Sequence, residues 1–235
     1  MPLEGPLRGK VAVVTGGRRG IGLATVKALA QRGARVVATS REVRGFPPAI
    51  DRDVVFAQLD VQDDEAIRRL FDWVGEEVGR LDVLVNNAGL GRFGPVGQTR
   101  SDTWHELLET NLIGPALCSR AALPLMRQSG GGRIINLGSI AGRMPLAENG
   151  AYGASKAGLR LLSQVLAIEE RGHGIRTTHV TLGAVATDIW DDREGFDRRQ
   201  MLDPSRVGEI VAGIASEPLS VALEEVQLMP PGGIL

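Results

Sequence analysis

The chain has 235 residues, of which 43% are hydrophobic and 23% are charged, as is typical of a globular domain with one large core. This composition argues against a fibrous, disordered or disulfide-stapled protein. With 27 Lys and Arg against 28 Asp and Glu, the chain has no excess of positive charge to bind a nucleic-acid backbone.

Seven short apolar segments alternate with segments of helical periodicity. They are predicted to be the strands Val11–Thr15, Val36–Ser40, Val54–Leu59, Val83–Asn87, Arg133–Gly138, Thr177–Leu182 and Glu225–Met229. Strands that alternate with helices predict a parallel sheet, and continuous apolar runs such as VAVVT favour strands covered by helices on both faces. No repeat or linker divides the chain, so we expect one domain over residues 1–235.

A glycine-rich turn over residues 15–22 follows the first predicted strand and precedes a helical pattern. Such a turn lets the backbone approach a pyrophosphate, whose charge meets the unpaired N–H groups at the helix N-terminus. The glycines are spaced G-x-x-x-G-x-G, which differs from the usual G-x-G-x-x-G fingerprint. The turn predicts a nucleotide site formed by Gly16, Arg18, Arg19, Gly20, Ile21 and Gly22.

The second predicted strand ends in Ser40 and Arg41, where NAD-selective folds usually place an acidic residue that binds the ribose 2′-hydroxyl. Glu42 is the next residue. Arg41 with Arg18 or Arg19 could instead bind a 2′-phosphate by charge-assisted hydrogen bonds. We therefore expect a preference for NADP(H), with NAD(H) as the alternative, although arginines in turns are also common as solvated surface residues.

Further along the chain, helices are predicted over about 67–78, 102–128 and 152–170, the second of them perturbed by two prolines. Segment 188–204 breaks the regular alternation because it is charged and yet carries Trp, Phe and Met side chains. It is interpreted either as a substrate lid or as an amphipathic helix packed on the domain.

Tyr152 is the only tyrosine, and Lys156, one of three lysines, follows four residues later; on a helix the two share one face. A phenol has a pKa of about 10, and a nearby ammonium lowers it by favouring the phenolate. Tyr152 could then be a general acid towards a carbonyl or a general base towards an alcohol. Ser139 could donate a hydrogen bond to the same oxygen. Each residue alone could equally be a packing or capping residue.

Several motifs follow one another in order: the turn at 15–22, Asp60, Asn86-Asn87-Ala88-Gly89, Asn111, Ser139 and Tyr152-x-x-x-Lys156. Over nearly the whole chain this set resembles the classical short-chain dehydrogenase/reductase family. The resemblance implies a Rossmann-type α/β fold: a three-layer sandwich around a doubly wound, parallel seven-stranded sheet in the order 3-2-1-4-5-6-7. It also implies an NADP(H)-dependent oxidoreductase that interconverts a carbonyl and a secondary alcohol, assembled as a homodimer or homotetramer.

The resemblance assigns a role to each matching residue. Tyr152 would be the proton donor, Lys156 would lower the pKa of Tyr152 and bind the nicotinamide ribose, and Ser139 would orient the substrate carbonyl. Asn111 would hold a helix kink and a water molecule of a proton relay. The remaining implied cofactor contacts are Asp60 and Val61 beside the adenine, Asn87, Ala88 and Gly89 along the central strand, and Gly183, Val185 and Thr187 after the sixth strand.

One departure from the family pattern is Leu182, which stands where a proline usually precedes the glycine. We expect a less rigid loop there, because leucine does not fix φ. An apolar pocket for a small to medium-sized substrate is expected from family position at Leu90, Phe93, Met144, Leu146, Val185 and Trp190, although such residues are also common in ordinary cores.

Two other functions were weighed. A catalytically silent nucleotide-binding regulator of the same fold is disfavoured by the intact Ser139, Tyr152 and Lys156. A hydrolase using Ser139 is disfavoured because its flanks do not match G-x-S-x-G, and because the histidines, His105, His173 and His179, show no spacing of a base or metal set.

The single cysteine, Cys118, is expected to be a buried core thiol. No apolar run reaches the roughly 18 residues that span a bilayer, and residues 1–10 do not resemble a signal peptide. A cytoplasmic location and a small-molecule partner are therefore expected, without nucleic acid, membrane or metal.

Overall fold

All seven predicted strands are present and form one sheet. The computed structural model describes residues 5–42, 53–191 and 195–234. The strands are β1 Val11–Val14, β2 Arg35–Ser40, β3 Val54–Gln58, β4 Val83–Asn86, β5 Gly132–Leu137, β6 Ile175–Leu182 and β7 Glu225–Leu228. Their order is β3-β2-β1-β4-β5-β6-β7, and every neighbouring pair is parallel. The expected fold class and strand order are confirmed.

Six α-helices connect and cover the strands. They are α1 Gly20–Gln31, α2 Asp64–Trp73, α3 Ser101–Leu108, α4 Gly114–Gln128, α5 Gly150–Glu169 and α6 Pro204–Ser216. A π-helical turn, Val74–Val78, extends α2. No helix among the described residues is both long enough and apolar enough to cross a bilayer.

Two apolar cores lie on opposite faces of the sheet. In β1, Ala12 and Val14 pack with residues of α1 and α6, whereas Val11 and Val13 pack with residues of α2 and α4. Successive residues of a strand point to opposite faces, so a strand buried on both sides must be apolar at every position. Cys118 is fully buried in the second core, as expected.

The helix predicted over 102–128 is divided in two. A π-helical turn, Glu109–Ile113, separates α3 from α4. Pro115 lies in the first turn of α4, where a missing N–H group costs little. Asn111, the residue to which the family resemblance assigns a helix kink, lies inside the π-helical turn.

Helix α6 is absent from the sequence-based predictions, although its start carries clear signals. Asp203 is the N-cap, its carboxylate accepts a hydrogen bond from the Ser205 N–H at 2.8 Å, and Pro204 is the first helical residue. Between β6 and α6 the described residues form two single 3-10 turns, Asp188–Trp190 and Arg198–Gln200. The packed amphipathic helix proposed there is not observed, and the lid stays a prediction.

Candidate active site

The candidate site residues meet because the carboxyl ends of parallel strands lie at one edge of the sheet. The turns after β1, β4, β5 and β6 all leave this edge, and these four strands are neighbours in the sheet. Helix α5 begins shortly after the turn that follows β5. Its first half therefore lies beside the other three turns, at the usual ligand-binding edge of an open α/β sheet.

The turn after β1 requires glycine for two different reasons. Gly16 and Gly20 have φ values of 66° and 54°, in the left-handed region that favours glycine. Gly22 is needed for space, because a Cβ atom there would lie 2.2 Å from the Gly16 carbonyl oxygen. The turn therefore folds tightly against the first turn of α1.

The N-terminus of α1 is available to an anion. Among the described residues no side chain caps it, and its first turn carries no acidic residue. Its unpaired N–H groups and the positive end of the helix dipole are directed to the site edge. Gly20 also faces the turn after β6, because a Cβ atom there would lie 3.4 Å from Thr187 Cγ2. This arrangement fits the pyrophosphate of a nicotinamide dinucleotide.

Thr15 and Asn87 tie the turn after β1 to the turn after β4. The Thr15 hydroxyl accepts hydrogen bonds from the backbone N–H groups of Asn87 and Ala88, at 3.1 and 3.0 Å. The Asn87 amide donates to the Thr15 and Gly16 carbonyl oxygens at 2.8 and 3.0 Å. Asn87 thus holds the two turns together, and its contact with the cofactor stays a prediction. Thr15 has no separate role among the predicted site residues, although its position directly before the first glycine was an available signal.

The structure distinguishes the two arginines of the phosphate turn. Arg18 points to the end of β2, where its guanidinium lies 3.2 Å from the Glu42 carboxylate. Arg19 instead pairs with Asp188, in the turn after β6, at 2.8 Å. Arg41 is exposed at the end of β2. Of the two turn arginines, Arg18 therefore lies near Arg41 at the end of β2, and Arg19 does not.

Asp60 and Val61 leave β3 at the same edge. The Asp60 carboxylate accepts a hydrogen bond from the Gln62 N–H at 3.0 Å, and Asp60 borders a cavity of about 600 Å³ between β3 and α2. Val61 is buried against Gly114, where a Cβ atom would lie 2.9 Å from the Val61 carbonyl oxygen.

Ser139, Tyr152 and Lys156 come together as the sequence predicts. The Ser139 side chain lies close enough to the Tyr152 hydroxyl to lower the pKa of that phenol. Lys156 Nζ lies 5.9 Å from the centroid of the Tyr152 ring and donates to the Leu137 carbonyl oxygen at 3.0 Å. Lys156 is 7% exposed, and this burial lowers its pKa to about 8.

The pKa of Tyr152 departs from the expectation. Burial raises it above the ordinary value, and the nearby Ser139 side chain opposes that rise. Lys156 does not contribute the expected lowering of the Tyr152 pKa. The physical reason is that the lysine is itself desolvated and directs its ammonium to the Leu137 carbonyl oxygen.

Asn111 connects the π-helical turn to the site. Its side chain is fully buried and pairs with both backbone groups of Leu90, each at 2.9 Å. It also donates to the Ser155 hydroxyl at 3.1 Å. Gly89 fits between Asn111 and Lys156: a Cβ atom there would lie 3.1 Å from Asn111 Oδ1 and 3.6 Å from Lys156 Nζ.

The loop after β6 is braced despite the missing proline. Leu202 exchanges backbone hydrogen bonds with Ala184 and Ala186, each at 2.9 Å. The Trp190 indole N–H donates to the Val185 carbonyl oxygen at 3.0 Å. Gly183 is needed for space, because a Cβ atom there would lie 2.7 Å from Pro230. Hydrogen bonds therefore restrain the loop that was expected to be less rigid.

The predicted apolar pocket is only partly assembled around Tyr152. Phe93 packs edge-on against the Tyr152 ring, with centroids 5.4 Å apart. Ile189, which is not among the predicted pocket residues, lies with Phe93 beside Gly91: Ile189 Cδ1 and Phe93 Cζ would lie 2.7 and 2.8 Å from a Cβ atom on Gly91.

Met144 and Leu146 do not join this group. They line a separate cavity of about 320 Å³ against Gly150, Gly153 and Ala154 of α5. Residues 153 and 154 follow Tyr152 by roughly 100° and 200° around the helix, so this wall is a different face of α5. The place of Met144 and Leu146 in the substrate pocket stays a prediction.

Comparison with known proteins agrees with this geometry. The profile of the short chain dehydrogenase family matches residues 10–196. The chain is 34% identical over 222 residues to the 3-oxoacyl-(acyl-carrier-protein) reductase FabG of Vibrio cholerae, covering 89% of this chain and 91% of that protein. It is 33% identical over 242 residues to glycine betaine reductase ATRR of Emericella nidulans, covering 97% of this chain but only 19% of that longer protein.

A solved structure is similar over almost the full length. It is a metagenomic short-chain oxidoreductase in complex with NADP, 36% identical, with a TM-score of 0.83, covering 96% of this chain and 98% of that one.

Proposed function

The chain belongs to the short-chain dehydrogenase/reductase family, and we propose that it interconverts a carbonyl and a secondary alcohol with NADP(H), using Tyr152 as the general acid and base. The observation that carries this proposal is the position of Lys156 Nζ 5.9 Å from the centroid of the Tyr152 ring, with Ser139 close enough to Tyr152 to lower the pKa of its phenol. This group lies at the sheet edge where the turn after β1 fits a dinucleotide.

The proposed cofactor contacts begin at the turn after β1. The N–H groups at the start of α1 bind the pyrophosphate, and Lys156 and Asn87 hold the nicotinamide half. When bound, the dinucleotide supplies or accepts the hydride. Asp60 and Val61 would contact the adenine, and Val185 and Thr187 would contact the nicotinamide.

Proton transfer belongs to the protein. During reduction the Tyr152 hydroxyl donates its proton to the carbonyl oxygen, and during oxidation the phenolate accepts the alcohol proton. The Ser139 hydroxyl donates a hydrogen bond to the same substrate oxygen and stabilises the negative charge that develops on it. For Lys156 to stabilise the phenolate left on Tyr152, its ammonium must turn from the Leu137 carbonyl oxygen towards the phenol oxygen. Asn111 holds Leu90 and Ser155 in place around this group.

The preference for NADP(H) is supported by charge at the end of β2. Arg41 and Arg18 lie there, and a 2′-phosphate attracts both guanidinium groups. Glu42 pairs with Arg18 at 3.2 Å and competes for it, so the preference is expected to be moderate. The NADP bound to the similar metagenomic oxidoreductase supports the same choice.

The proposed substrate is a small to medium-sized, largely apolar carbonyl compound. Phe93 and Ile189 present apolar surface beside Tyr152. The two named relatives reduce different compounds, so family membership alone does not select one.

Self-association is also proposed. Leu161, Val165 and Ile168 of α5 are 62%, 40% and 71% exposed, and their spacing places them on one face of the helix. An apolar stripe of this kind suits a contact between two copies of the chain. The cytoplasmic location stays a prediction.

The proposed function is tested by following the absorbance of the reduced cofactor as the purified protein oxidises it. NADPH and NADH are supplied in parallel with ketones, diketones, 3-oxoesters and aldehydes. We expect turnover with NADPH to exceed that with NADH. Tight NADPH binding without turnover on any compound would instead favour a silent regulator of the same fold.

A further inference from the structure

A buried histidine lies against the turn that carries Ser139. His179 of β6 is 1% exposed and is the register partner of Asn136 in β5. Residues two apart on a strand share a face. Asn136 and Gly138 therefore lie on the same face of the sheet as the side chain of His179. The imidazole therefore lies beside Gly138, the residue directly before Ser139.

The imidazole occupies the space that a side chain at position 138 would need. A Cβ atom on Gly138 would lie 2.2 Å from His179 Nε2 and 2.3 Å from Cε1. The φ angle of Gly138 lies outside the left-handed region, so its backbone conformation does not itself require glycine. Glycine is needed at 138 because histidine stands at 179.

Hydrogen bonds hold the imidazole in this orientation. His179 Nδ1 lies 3.4 Å from the Ser163 hydroxyl oxygen. That hydroxyl already donates to the Leu159 carbonyl oxygen at 2.7 Å and accepts from Asn136 Nδ2 at 2.8 Å. Nδ1 must therefore be the donor, which places the Nε2 lone pair towards Gly138. Within the described part of the chain Nε2 has no hydrogen-bond partner.

Burial keeps the ring neutral. It is the main cause that lowers the pKa of His179 to about 4; Glu225 opposes this shift, and Lys156, Arg160 and Arg143 add to it. Because Nδ1 faces Ser163, and Nε2 faces the Gly138 backbone, the ring is not placed to take a proton from Ser139. This geometry gives no support to a hydrolase.

We propose that His179 is a positioning residue that holds Ser139 in place through its contact with Gly138. The inference rests on the function proposed above, because it takes Ser139 as the donor to the substrate oxygen. The Ser139 hydroxyl must reach both Tyr152 and the substrate, and a displacement of about 1 Å can cost about a hundredfold in rate. A rigid ring beneath residue 138 limits that displacement.

The test is a double-mutant cycle of Gly138→Ala and His179→Ala, measuring kcat, KM, the Kd for NADPH and the thermal midpoint. Gly138→Ala forces a methyl group into the ring, so we expect kcat to fall about tenfold or more while the Kd for NADPH stays unchanged. We expect His179→Ala to lower kcat by about threefold, because the turn loses its support. In the double variant the methyl group enters the vacated space, and kcat should recover to within about threefold of wild type.

Thr177→Ala is the matched control. Thr177 is buried on the same strand and the same face, two residues farther from Ser139, so it should lower the thermal midpoint without changing kcat. Additive losses of kcat in the double variant, or an unchanged kcat in Gly138→Ala, would overturn the proposal. If Gly138→Ala does not fold, His179→Ala alone tests the proposal. A kcat of His179→Ala equal to that of Thr177→Ala would then overturn the positioning role of His179.

Ser139→Ala separates this inference from the proposed function. Full turnover by Ser139→Ala would refute the role of Ser139, whatever the cycle shows. Impaired turnover by Ser139→Ala together with unaffected His179 variants would refute only the positioning role.

Discussion

The side-chain amide of Asn111 pairs with the backbone of Leu90 as a neighbouring strand would. Its Oδ1 accepts from the Leu90 N–H and its Nδ2 donates to the Leu90 carbonyl oxygen, each at 2.9 Å. The loop after β4 therefore takes its position from a side chain of the π-helical turn between α3 and α4.

We expect Asn111→Ala to lower the free energy of unfolding by about 2 kcal/mol, because both Leu90 backbone groups lose their partner. Urea denaturation measures this change. Glu109→Ala is the control, since Glu109 is exposed in the same π-helical turn, and it should be nearly neutral. Equal effects of the two substitutions would mean that the Leu90 contacts contribute little.

Tyr152→Phe removes only the hydroxyl group. Turnover should fall by about a thousandfold, in the range typical of a lost general acid, whereas the Kd for NADPH, measured by fluorescence titration, should change little. Unchanged turnover would rule out the proposed proton donor.

Arg41→Glu should weaken NADPH binding much more than NADH binding, because the new carboxylate repels the 2′-phosphate. Arg35→Glu is a matched control, since Arg35 is exposed at the opposite end of the same strand, and it should leave both Kd values unchanged. Equal losses for the two cofactors in Arg41→Glu would refute the 2′-phosphate assignment.

The buried Lys156 predicts a dependence of stability on pH. Its pKa in the folded protein is about 8, below its ordinary value of 10.5, so between these values the unfolded chain binds more protons than the folded one. The Lys156 contribution to the unfolding free energy should therefore rise with pH across this window, by about 3 kcal/mol at most.

Comparison with Lys156→Met isolates this contribution. Burial raises the pKa values of Cys118 and Tyr152. Ionisation of these two groups therefore lowers the unfolding free energy at high pH, and it does so in both proteins. Without cofactor, the stability difference between wild type and Lys156→Met should change between pH 8 and 10.5. A constant difference would contradict the lowered pKa.

Leu161→Glu combined with Ile168→Glu places two carboxylates on the exposed apolar face of α5. If this face joins two copies of the chain, the double variant should have a smaller mass by light scattering at the same concentration. Lys27→Glu, on exposed surface of α1, should not change the mass. An unchanged mass in the double variant would exclude this face.

Local patterns were sufficient to predict the sheet. A strand buried on both faces must be apolar throughout, and the runs around Val13 and Leu84 show this directly. Helix α6 was missed although Val207, Ile210, Val211 and Ile214 repeat with helical spacing. That failure lies in the interpretation, because the pattern was present.

Other features depend on contacts that no local pattern contains. The fit between Gly138 and His179 follows from the register of β5 against β6, because a shift by one residue would point the imidazole to the other face. Whether Arg18 or Arg19 faces the end of β2 depends on the path of a tight turn. The position of Met144 follows from the face of α5 on which its loop packs.

Cys118, the chain's one cysteine, lies fully buried in the core shared by α2 and α4. Burial raises the pKa of its thiol to about 12, and the thiolate is the form that attacks thiol reagents. The folded protein should therefore resist such reagents, and labelling should follow only when this core opens. The natural chain thus carries its own kinetic probe of opening on one side of the sheet, without an engineered label.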